Sequence, residues 1–226
     1  MTSFKICCLL TTAVLLISIR QASGAELEPR CVPNSPERRG QFGCSIVEDK
    51  LLPTDLKGPL FWHIDQFDSG ARAQAEVGPT SIALEAHGRW WLLSIETSTT
   101  DNHHNGSHVV EVPLPALPPA AKYSFLAMSA YIPQGMTSRV HHHSGVETFY
   151  TVDGEQCLET PTRAYRLPKG ATLAVPAGVP MRLVANGSVP RRALAAIIYD
   201  ATQPPTTRMD MENAKQLVAC EQAKPK

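Results

Sequence analysis

The stretch whose reading decides the fold is GMTSRVHHHSGVETFYTVDG, from Gly135 to Gly154. In an extended chain successive side chains point to opposite faces, so His141 and His143 project together while His142 points the other way. Ser144-Gly145-Val146 permits a bend, Glu147 opens a second strand over residues 147–152, and Asp153-Gly154 turns that strand back. Two imidazoles and one carboxylate thereby converge on one point from adjacent strands. Neutral imidazole and carboxylate together suit Mn, Fe, Ni, Cu or Zn.

The spacing is more demanding than the run of histidines. It resembles the first motif of the cupin superfamily, in which Gly, five residues, His-x-His, three or four residues, Glu, six residues and Gly recur. Gly135, His141, His143, Glu147 and Gly154 meet every position. The second motif of that superfamily runs Gly, five residues, Pro-x-Gly, two residues, His. Gly170, Pro176 and Gly178 meet its first part in GATLAVPAGVPM, but Met181 stands where the His is expected, and Asn186 lies one residue beyond the usual Asn. The resemblance covers residues 121–200. It implies an all-β fold, a cupin jelly-roll β-barrel, and one divalent transition metal held by His141, His143 and Glu147. A thioether is a weak ligand for Mn or Fe, so Met181 leaves three good ligands where the family usually has four. Two His and one carboxylate with open positions is also the facial donor set of non-haem iron oxygenases. A site that has lost its metal and binds only an organic ligand is the alternative.

Working outward toward the C-terminus, residues 165–167, 171–175, 181–185 and 193–199 fit further short strands. Alternation from Glu147 puts Phe149 on the inward face, and alternation from Met181 puts Leu183 there, so Phe149, Met181 and Leu183 are the expected pocket lining. Pro204-Pro205 breaks the pattern. Beyond it Met211, Ala214, Leu217 and Val218 share one face of an expected C-terminal helical tail over residues 201–226. No residue near the motif is an evident general base outside the metal set, since Tyr150 faces away from Glu147, and no catalytic residue is assigned.

Toward the N-terminus, residues 123–132 form a strand preceded by a proline-rich connector over residues 112–119. The polar stretch 97–108 reads as a solvated loop, and its His103, His104 and His108 have nothing to hold them in ligand geometry. Residues 60–65, 81–85 and 89–96 read as strands. Residues 71–77 form a short helix capped by Asp68 or Ser69, and Trp62, Trp90 and Trp91 serve as packing. Residues 26–119 carry no second His-x-His-x3-Glu set and too few strands for a barrel of their own. They read as a polar arm followed by a strand extension of the cupin domain at residues 120–200.

The composition fits one globular unit: 226 residues, 43% hydrophobic and 19% charged. Lys+Arg 21 against Asp+Glu 21 excludes the basic field that nucleic-acid binding needs. Residues 1–25 read as a signal peptide, with Lys5 before an apolar run over residues 6–19 and small residues at Ala22, Ser23, Gly24 and Ala25. The expectation is a secreted or periplasmic protein without a stable membrane anchor. Cys7 and Cys8 leave with that segment. Cys31, Cys44, Cys157 and Cys220 remain, an even set that favours disulfides in an oxidising compartment and allows three connectivities. Three functions stay open: a metal-dependent dioxygenase-type enzyme, a non-catalytic binding module, and a structural cupin. The expected partner is a small-molecule ligand or substrate, with a homodimer as an open alternative.

Overall fold

The computed structural model describes residues 31–35, 40–56, 58–97, 105–210, 212 and 215–220. The expected signal peptide, His103 and His104 lie outside them. The elements in chain order are β1 (Val32–Pro33), β2 (Gly43–Leu51), β3 (Phe61–Phe67), α1 (Gly70–Ala75), β4 (Ser81–Ala86), β5 (Arg89–Glu96), β6 (Ser107–Pro113) and β7 (Tyr123–Ile132). They continue with β8 (His141–His143), β9 (Val146–Asp153), β10 (Glu155–Glu159), β11 (Ala164–Pro168), β12 (Thr172–Val175), β13 (Arg182–Val184), β14 (Arg191–Asp200) and β15 (Thr206–Arg208). Among the described residues no helix is long and apolar enough to cross a membrane.

Local chemistry accounts for the joints. Ser69 caps α1 by accepting from the Arg72 backbone N–H at 3.4 Å, leaving Asp68 to pair with the Arg72 guanidinium. Ala86 pairs with Arg89 across β4 and β5, and the two residues between them, His87 (φ 57°) and Gly88 (φ 73°), both sit in the left-handed region. That is the turn whose twist matches a two-residue hairpin.

The largest sheet has six strands in the order β1-β2-β7-β14-β9-β12. It is covered on both faces. A four-stranded sheet, β4-β5-β3-β6, lies against one face. There Trp62, Ile64, Ile82, Trp91, Leu93 and Ile95 share a core with Phe125, Ala127, Leu194, Ala196 and Ile198 of the large sheet. The residues between these on β7 and β14, namely Leu126, Met128, Ala195, Ile197 and Tyr199, join Phe149, Leu158, Val175 and Met181 in a second core on the opposite face. The pleat alone assigns each side chain to one core or the other.

The layer across that second core begins as β11-β10-β13. Thr137 bridges to Val184 and His141 bridges to Met181, so the edge of β13 leads on to β8, which pairs in turn with β15. Two sheets facing each other over one core make the jelly roll, and the fold is all-β. The N-terminal half is attached in two ways: β1 and β2 extend the large sheet by backbone pairing, and β3 to β6 lie flat on its outer face.

Three expectations need amendment. His108 belongs to β6, where it pairs opposite Asp65 and its Nδ1 lies 3.1 Å from Asp65 Oδ1, so it is held by a strand and not by a loop. The strand expected to begin at Ala193 begins at Arg191. The helical face expected at Met211, Ala214, Leu217 and Val218 falls partly outside the described residues, and residues 215–220 form a turn followed by irregular chain. Tertiary bonds override the helical pattern there: the Val218 N–H donates to Thr160 O, the Cys220 N–H donates to Glu159 Oε1, and Cys220 is disulfide-bonded to Cys157. Cys31 pairs with Cys44.

Gly145, in the bend between β8 and β9, lies hard against the backbone of β14, the strand with which β9 pairs. A Cβ at this position would collide with the carbonyl oxygen of Ile198 and would lie 2.5 Å from Tyr199 Cα. Backbone atoms of a doubly flanked strand have no room to give. Gly145→Ala is expected to destabilise the fold by about 1–3 kcal/mol or more through overpacking. Thermal melting checks this, and a variant melting with the wild type would refute the close approach.

Candidate metal centre

β8 and β9 bring three donors together. His141, His143 and Glu147 offer ligand atoms that all lie within 4.8 Å of one another, and all three side chains are buried. The two imidazoles stand edge to face at 5.0 Å between ring centroids. His142, between them, points away.

Hydrogen bonding fixes which nitrogen each ring presents. His141 Nδ1 lies 2.8 Å from the Arg139 carbonyl oxygen and His143 Nδ1 lies 2.9 Å from that of Pro205. A carbonyl only accepts, so both Nδ1 atoms carry the proton, and in the neutral rings both Nε2 atoms present a lone pair. This backbone anchoring is the outer layer that metal-bound imidazole usually has. Thr206 Oγ1 also approaches His143 Nδ1, at 3.1 Å, so Pro205 and the first residue of β15 hold this ring together.

The remaining atoms are left without partners. His143 Nε2 and Glu147 Oε2 approach to 2.9 Å, yet they lack the directionality of a hydrogen bond, and neither atom has any hydrogen-bond partner. Buried polar atoms are rarely orphaned, and two lone-pair-bearing orphans turned to one another fit a missing cation. Burial would lower the pKa of His143, but the charge and close contact of Glu147 outweigh it and hold the ring above the ordinary imidazole value. His141 shifts the other way, because burial and the neighbouring His143 together exceed the pull of Glu147. The donor set therefore fits a divalent transition metal.

Met181 stands directly opposite His141. Each donates its backbone N–H to the other's carbonyl, at 2.8 and 3.0 Å, and residues so paired present their side chains on one face. The thioether is thus beside the triad, packed in the same core as Phe149 and Leu183.

The triad opens on a cavity of about 570 Å³. Phe149 and Leu183 line it with Leu126, Met128, Ala195 and Ile197, so its wall is mostly apolar. Three parts of this wall were not anticipated: the Cys31–Cys44 disulfide, the short strand β15, and Arg191. Arg191 is almost fully buried, its Nε has no hydrogen-bond partner, and burial pulls its guanidinium down to about 10 against the raising effect of Glu147. Its signal was present in the sequence, since Arg191 shares the parity of Ala193, Ala195 and Ile197, but the strand was read as starting two residues too late.

No curated protein matches the chain. Among solved structures, the polyketide cyclase RemF from Streptomyces resistomycificus is 19% identical, over 38% of this chain and 61% of that one, with a TM-score of 0.34. The DMSP lyase DddQ from Ruegeria pomeroyi is 21% identical over 38% of this chain and 43% of that one, with a TM-score of 0.34. A salicylate 1,2-dioxygenase mutant from Pseudoaminobacter salicylatoxidans is 18% identical over 42% of this chain and 23% of that one, with a TM-score of 0.31. The chain spans less than two thirds of the length of each. Residues 128–197 match the family model described as Cupin domain, a segment that runs from β7 through β14 and contains the whole triad. Residues 128–197 of the chain therefore carry a cupin domain.

Proposed function

We propose that the protein is a metal-dependent cupin that holds one divalent transition ion on His141, His143 and Glu147 and takes a small organic ligand into the adjoining cavity. The observation that carries this reading is the pair of unpartnered atoms, His143 Nε2 and Glu147 Oε2, buried and turned to one another. A bound ion with three protein ligands would act as a Lewis acid with positions left for a ligand or dioxygen, the arrangement used in dioxygenase-type chemistry. The chain's own part is to orient both imidazoles through Arg139 and Pro205 and to keep the site dry with Phe149, Leu183 and Met181. Two disulfides favour an oxidising compartment, and we place the protein there, secreted or periplasmic.

Elemental analysis of protein purified without a histidine tag is expected to give about one transition-metal ion per chain. His141→Ala is expected to weaken metal binding beyond the roughly 10–100-fold that loss of an outer-layer partner costs. Metal-free wild type that takes up no Mn, Fe, Ni, Cu or Zn at micromolar concentration would leave a ligand-binding or structural cupin.

Protons supply a second check. Metal-free His143 keeps its proton to higher pH than an ordinary imidazole, and an incoming ion must expel it. Metal affinity should therefore rise as pH rises through that range, with proton release visible by calorimetry in buffers of different ionisation enthalpy. Affinity independent of pH would mean that His143 is not a ligand.

Met181→His is expected to place an imidazole beside His141 and tighten metal binding by about tenfold or more, ~1.4 kcal/mol. Unchanged affinity in a stably folded variant would show that this side chain does not reach the ion.

A further inference from the structure

Arg191 is the cation that the metal reading leaves without work. It is the first residue of β14, and its parity turns it inward with Ala193, Ala195 and Ile197 while Arg192 turns outward to stack on Tyr131 at 5.0 Å. It lines the same cavity as the triad and is 4% exposed. No hydrogen bond or ion pair joins it to Glu147, the single acidic side chain in that lining, and its Nε is unpartnered. Glu147 is in any case turned to the triad, 2.9 Å from His143.

A guanidinium taken out of water into an apolar wall is uncompensated unless an anion joins it. Burial leaves it charged at neutral pH all the same, because the guanidinium is pulled down only to about 10. Of the two arginines in the lining, Arg208 lies on the exposed strand β15, and Arg191 is the buried guanidinium. The planar fork of donors matches the two oxygens of a carboxylate.

We propose that Arg191 binds the carboxylate of the ligand, so that the cavity takes a small organic acid with an apolar body. The inference rests on the reading of the cavity as the ligand site, and it names the class of ligand. The acid's charged end is held by Arg191 at the start of β14, and its remaining atoms extend along the apolar wall toward the triad. Arg191 is thus a binding residue chosen for charge, and Phe149 and Ile197 select the body that accompanies it.

The test uses the full chain, metal-free and metal-loaded, and a ladder of straight-chain carboxylates from acetate to octanoate, each beside its primary amide. Calorimetry and thermal melting on the wild type are expected to show saturable binding of at least one carboxylate and binding of its amide weaker by about tenfold or more. Arg191→Met is expected to lose that preference, to take up metal as the wild type does, and to melt no lower than the ligand-free wild type, because a buried unpaired charge has been removed. Arg191→Lys should restore part of the carboxylate preference. Equal binding of acid and amide by the wild type would overturn the proposal without any variant, as would the absence of saturable carboxylate binding at millimolar concentration. Unchanged carboxylate binding in Arg191→Met would overturn it too. If the wild type takes up no metal and still prefers the carboxylate through Arg191, the metal reading fails alone and this one stands.

Discussion

A sheet covered on both faces is the constraint from which the rest of the molecule follows. Once β3 to β6 lie on one side of the six-stranded sheet and the second jelly-roll layer lies on the other, the side chains along the middle of β7, β9 and β14 must enter one of two interiors. The pleat leaves no third choice. On β9, Glu147 and Phe149 fall to the cavity side, while Tyr150 packs toward the outer sheet and stands edge-on to Trp91 at 6.2 Å. On β14 the same rule sends Arg191 into the cavity and Arg192 out of it. A register slip of one residue would exchange the polar lining for an apolar core and bury the wrong charges, so packing and site chemistry select the same register.

The buried polar groups of the cavity are of two kinds, and they differ in how they are supported. The imidazoles are held by backbone carbonyls of Arg139 and Pro205, which fix their tautomers whatever else the site contains. Arg191 has no such bond at Nε. The first arrangement is preorganised and the second is open. A buried guanidinium without a paired anion lowers stability, and proteins retain such groups where function uses them.

How much of this was legible in the sequence depends on how local its cause is. The triad was legible because alternation within His141-His142-His143 and a fixed distance to Glu147 determine side-chain direction over a few residues. The short helix, with its cap at Asp68 or Ser69, and the strands on either side of residues 86–88 were legible for the same reason. What escaped the reading has distant causes. The bond from His143 Nδ1 to Pro205 spans 62 residues, and nothing near either residue announces it. Residues 215–220 continue a helical pattern in the sequence, but the disulfide from Cys220 to Cys157 and the bond from Val218 to Thr160 give them another path. Arg191 escaped because Pro190 and two charged residues look like a loop, when a central strand already begins there. The choice among three cysteine pairings needed the fold itself.

The short strand β15 has a kinetic meaning. β14 is paired along both edges and covered on both faces, so its amides are released only when the whole domain opens. β15 is three residues long, is paired on one side to β8, and carries the exposed Thr207 and Arg208. Local fraying belongs to this margin of the cavity and not to the sheet. The adjacent Pro205 carbonyl is also the acceptor that fixes the His143 tautomer. Each time the margin frays, the imidazole loses the bond that keeps its proton on Nδ1, so the tautomer of one triad ring is governed by a few backbone contacts at the least protected edge of the domain.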